Sequence, residues 1–106
     1  LLSRRQRQMC IRDSEKRHAR DLAAAIYLIT GKAYCPRVCV EQPDTCDLCA
    51  LLRSLYHAEA CAGYNYARAG EETLDLCLSK LFAAMSEDEY RHAELLMKLL
   101  GRKMNV

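Results

Sequence analysis

Little in this chain bends or breaks a helix: it has four glycines and two prolines among 106 residues. Strand-rich domains need turn residues at short intervals, so this scarcity argues against a β architecture. Leu, Ala, Glu and Arg dominate instead, all strong helix formers. No uninterrupted apolar run of about 18 residues occurs, so no membrane span is expected. The charged opening leads to no apolar h-region, so no signal peptide is expected either. No nucleophile elbow, P-loop or dinucleotide fingerprint is present. The seven cysteines are an odd number, which fits reduced thiols better than a disulfide scaffold and points to a cytoplasmic protein. Apolar residues make up 51% of the chain, enough for the core of one domain.

The net charge of +2 is unevenly spread. Residues 1–14 hold Arg4, Arg5, Arg7 and Arg12 against Asp13, a balance of +3 that leaves −1 on the other 92 residues. A basic opening can be read as a nucleic-acid arm. We reject that reading, and expect no nucleic-acid partner, because the segment LLSRRQRQMCIRDS is polar, lacks an apolar stripe and changes character abruptly at Glu15. It resembles translated sequencing-adapter DNA found at the ends of unrelated genes. The expected organisation is a non-native leader over 1–14, a helical domain over 15–101 and a tail over 102–106.

Three helices are expected. The first runs from Glu15 to Thr30, with an inward stripe of Glu15, His18, Leu22, Ala25/Ile26 and Ile29, and Gly31 as its C-terminal cap. Lys32 to Thr45 has no helical period and contains both prolines, and it reads as a crossover along a bundle. The second helix runs from Cys46 or Asp47 to Ala69, capped by Asp44 or Thr45 and stopped by Gly70. Its stripe is Leu48, Leu52, Leu55, Glu59, Ala62 and Tyr66. The third runs from Glu71 to Leu100, with Gly101 as its stop. Its stripe, Leu74, Leu78, Leu81, Met85, Glu89, His92, Leu96 and Leu99, runs in steps of four and three, the seam of a left-handed bundle. Ser86 with Glu89 could form a capping box that splits this helix, but the stripe passes through unshifted, so one continuous helix is preferred.

The chemistry lies in a repeated spacing, Glu15-x-x-His18 and Glu89-x-x-His92. Residues three apart share a helix face, so each pair can aim a carboxylate and an imidazole at one point. Glu59 sits on the stripe of the intervening helix. A single Glu-x-x-His has little specificity, but all five groups fall at core positions, where an unpaired charge is costly. Divalent cations would compensate them, and carboxylate oxygens with imidazole suit iron or manganese, with zinc as an alternative. The competing interpretation is a polar core network without metal.

The segments EKRHARDLAAAIYLITG, YHAEACAGYNYARAG and SEDEYRHAELLMKLLG resemble the ferritin-like superfamily, on its rubrerythrin and bacterioferritin side. The resemblance covers residues 15–100. It implies an all-α four-helix bundle holding two iron ions, here lacking its first helix and that helix's glutamate. It assigns Glu15 and His18 to the second helix of the family, Glu59 to the third, and Glu89 and His92 to the fourth. It also implies oxidation of ferrous iron by peroxide or dioxygen, with iron oxidation and storage as the alternative role and a metal-free helical interaction domain as another. An electron-donor protein is a conceivable partner. A homo-oligomer is expected, because three stripes built for four helices leave an apolar groove.

Some relatives place Asp before the ligand Glu to orient a histidine on the opposite helix. Asp88 fits that pattern as an outer-shell residue, whereas Ser14 stands in the equivalent place before Glu15. Tyr66 could neighbour the site, though a core aromatic is the preferred interpretation. Cys35, Cys39, Cys46 and Cys49 could form a thiolate metal site, but only the last two have C-x-x-C spacing, and reduced thiols in a crossover are preferred. Cys61 and Cys77 are expected as small core residues and His57 as exposed.

Overall fold

A computed structural model describes the backbone of residues 4–35 and 47–104, and the side chains of residues 11–35 and 47–102. The described residues form three α-helices and no strand, so the protein is all-α, as its composition predicts. The chain divides into two compact units, Leu1–Gln42 and Pro43–Val106.

The first unit contains α1, Arg4–Thr30. It starts well before the expected Glu15. No Gly or Pro interrupts residues 4–14, and Arg and Gln are good helix formers, so nothing local stops the helix there. Its end is as expected. Gly31 has φ +71°, a left-handed conformation that costs glycine little, and its N–H donates to the Tyr27 carbonyl at 2.8 Å. His18 is buried, and Glu15, Leu22, Ala25 and Ile26 are half-buried, but Ile29 is exposed together with Tyr27 and Leu28.

The second unit is an antiparallel pair, α2 (Leu48–Glu72) and α3 (Leu76–Met104). Asp47 caps α2, its carboxylate accepting from the Ala50 N–H at 3.0 Å. The expected caps, Asp44 and Thr45, lie outside the described residues, as does most of the crossover. Gly70 does not end α2 but is buried inside it. The connection is Thr73 to Asp75 instead. The Thr73 N–H donates to Ala69, and Asp75 accepts from the Leu78 N–H at 2.9 Å, satisfying a first-turn donor of α3. Leu74, expected on the α3 stripe, falls in this connection and is fully exposed. From Leu78 onward the stripe holds: Leu78 and Leu81 are half-buried, while Met85, Glu89, His92, Leu96 and Leu99 are buried. On α2 the corresponding anchor is Leu52, whereas Leu55 is exposed.

The third helix is continuous through Ser86, so no capping box splits it. Gly101, expected as its stop, also lies within it. Cys61 and Cys77 are exposed rather than core. Cys61 is two residues from Glu59 and so points away from its face, and Cys77 precedes the inward Leu78. No described helix is long and apolar enough to cross a membrane.

Candidate metal centre

Within the second unit, three of the expected site residues converge. Glu89 and His92 are one turn apart on α3, and His92 Nδ1 lies 3.7 Å from Glu89 Oε2. Across the pair, α2 places Glu59 Oε2 3.5 Å from the same nitrogen. One donor atom from each of the three residues lies within 4.8 Å of the others. The Glu89 and His92 side chains are almost wholly buried, and that of Glu59 largely so. Bonds of about 2.0–2.2 Å from oxygen or nitrogen donors put any two ligands of one ion no more than about 4.4 Å apart, and both measured separations fall inside that limit. Two carboxylates carry two negative charges and a metal-ligating imidazole is neutral, so a divalent cation suits the set in both charge and donor chemistry. The three residues could hold a metal ion.

The other Glu-x-x-His pair lies on α1 in the first unit. His18 Nδ1 is 3.9 Å from Glu15 Oε2, with the imidazole buried and the carboxylate 43% exposed. Ser14, just before this pair, is buried and accepts a hydrogen bond from the Arg17 guanidinium at 3.2 Å.

Asp88 pairs with Arg91, one turn on along α3. Tyr66 lies two turns beyond Glu59 on α2, with its ring stacked on Phe82 at 6.2 Å between centroids. That contact makes it a packing aromatic of the α2–α3 interface. His57 is exposed, as expected, with its ring edge-on to Tyr56. Of the four cysteines weighed as a thiolate site, Cys35 is exposed and Cys49, in the first turn of α2, is half-buried, both with free thiols, while Cys39 and Cys46 lie outside the described residues.

Two residues next to the centre have a role that the sequence reading missed. Ser86, one turn before Glu89, donates its hydroxyl to the Gly63 carbonyl, one turn after Glu59, at 2.7 Å. The available signal was a spacing: Gly63 and Gly70 on α2, Ser79 and Ser86 on α3, small residues seven apart in each case.

The described residues thus define an all-α protein with a buried carboxylate–imidazole group fit for a metal. No family model matches the chain, and no curated protein or solved structure shows significant similarity to it.

Proposed function

We propose that this chain is a di-iron carboxylate protein of rubrerythrin-like type, acting in peroxide detoxification. The observation that carries the reading is the Glu59–Glu89–His92 group, in which two helices aim hard oxygen donors and an imidazole at one buried point. Glu89 and His92 would anchor one ion and Glu59 would bind or bridge. The sequence pattern alone assigns Glu15 and His18 to the second half of the centre, as the other copy of the spacing. Manganese or zinc would satisfy the same donors. When bound, a pair of ferrous ions supplies the electrons that reduce peroxide or dioxygen. The chain's part is to hold carboxylates that can change their mode of binding as that charge changes, and to exclude bulk water around Glu89 and His92.

Elemental analysis of protein reconstituted with ferrous iron tests the assignment, with stoichiometric metal expected at Glu59, Glu89 and His92. Stopped-flow oxidation of the ferrous form then separates the roles. Faster reaction with peroxide supports detoxification, and faster reaction with dioxygen with growth of a mineral core supports storage.

One observation favours a second reading. With its imidazole 3.5 and 3.7 Å from two carboxylates, His92 also fits a polar core network without metal. The protein would then be a helical interaction domain, and metal content at background level would establish it.

A further inference from the structure

The α2–α3 interface is fastened twice by the same device. Ser86 donates to the Gly63 carbonyl at 2.7 Å, and Ser79 donates to the Gly70 carbonyl at 2.8 Å. From Ser79 to Ser86 is seven residues along α3, and from Gly70 back to Gly63 is seven along α2. A heptad is the period at which one row of side chains keeps facing a partner helix, so the clasps lie on one seam. Both glycines admit close approach. A methyl on Gly70 would lie 3.2 Å from the Ser79 carbonyl oxygen, and one on Gly63 would lie 3.0 Å from the Tyr90 ring. Both acceptor carbonyls belong to helix α2, whose interior carbonyls already accept helical N–H groups. The serine bond at Gly63 therefore does not rescue an orphan acceptor. What it fixes is the axial register of one helix against the other. Four residues before Gly63 on α2 is Glu59, and three residues after Ser86 on α3 is Glu89.

We propose that Ser86, through its hydrogen bond to Gly63, is the positioning residue of the Glu59–Glu89–His92 group. It sets the register that brings the Glu59 carboxylate level with the turn from Glu89 to His92. This inference rests on the metal-site reading above. Ser79 provides an internal control, since it makes the same bond ten residues from Glu89, about 15 Å along the helix. A recess of about 290 Å³ is lined by Ala67, Gly70, Glu71, Ser79, Ala83 and Ser86.

Cobalt(II) titration of the full chain tests the proposal, with affinity and the positions of the visible d–d bands as readouts. Ser86→Ala is expected to weaken cobalt binding by about tenfold, as loss of a ligand-orienting contact does, and to shift the bands. Ser86→Thr, which keeps the hydroxyl, is expected to restore both. Ser79→Ala is expected to stay within about twofold of the parent, being distant from the ligands. Equal losses for Ser86→Ala and Ser79→Ala, or an unchanged spectrum and affinity for Ser86→Ala, would overturn the positioning role and leave the metal reading standing. A parent chain that takes up no cobalt would overturn both. Should Ser86→Ala lose its helical circular dichroism, Gly63→Ala replaces it. Its methyl meets the Tyr90 ring and disturbs the same register, so parental affinity there would overturn the proposal.

Discussion

The two Glu-x-x-His pairs share a spacing but not a setting. Within each helix the geometry is nearly the same, with Nδ1–Oε2 separations of 3.9 Å on α1 and 3.7 Å on α3, and both imidazoles are buried. The carboxylates differ. The Glu15 side chain is 43% exposed and that of Glu89 is 1% exposed. Helical periodicity guarantees that the two members of such a pair meet, but it does not decide how dry the meeting place is. On α3 the pair faces a packed helix, α2, which also contributes Glu59. A buried carboxylate beside a second carboxylate is costly without a cation, so the α3 copy has the stronger demand for metal.

The largest effect is expected from the buried set. Replacing Glu59 and Glu89 together with Ala should abolish bound iron or manganese, read by elemental analysis after reconstitution. Unchanged stoichiometric metal would end the assignment. Next comes Glu15→Gln, which should lower metal content without abolishing it, because only the proposed second half loses its carboxylate. Complete loss of metal in this variant would erase the distinction between the two copies.

A smaller effect should follow from Gly70→Ala. Alanine favours the helix by about 1 kcal/mol, but its methyl would press on the Ser79 backbone, and overpacking costs about 1–3 kcal/mol. A net loss in urea unfolding is expected, with metal affinity close to that of the parent. Stabilisation would mean that the α2–α3 approach is looser than the 3.2 Å contact indicates. Smallest is Gly101→Ala. Nothing lies within 4 Å of the added methyl and the residue is helical, so a gain of up to about 1 kcal/mol is expected, with the metal count unchanged.

Those glycines also show where sequence reading succeeded and where it stopped. The helical class, the Gly31 cap, the α3 stripe from Leu78 to Leu99 and the inward phase of Glu59, Glu89 and His92 were all legible, because each follows from a period of 3.5 to 3.6 residues or from one residue's backbone freedom. Gly70 and Gly101 were misread as stops. A glycine's lack of a side chain serves a cap and a close helix contact equally, and only the facing helix tells them apart. Leu55, Ile29 and Leu74 were placed on stripes by spacing, but exposure depends on what an element packs against and where it begins. Cys61 and Cys77 were assigned to the core by residue type, and their phase on the helix outweighed it. Ser86 was weighed as a cap because its hydrogen-bond partner is 23 residues away in sequence.

The short Thr73–Asp75 connection gives the candidate centre a place in time. Sequence separation across the pair widens away from it, from 9 residues at the Ser79–Gly70 bond to 23 at Ser86–Gly63, with Glu59 and His92 further apart still. Closing a short loop costs less entropy than closing a long one, so the hairpin should zip from the connection outward, with the ligand group among the last contacts to form. A nascent chain would then have its register settled before it can capture metal. Pulse-labelling hydrogen exchange during refolding should show amides near Gly70 protected before those near Glu59, and the opposite order would point to assembly around the carboxylates.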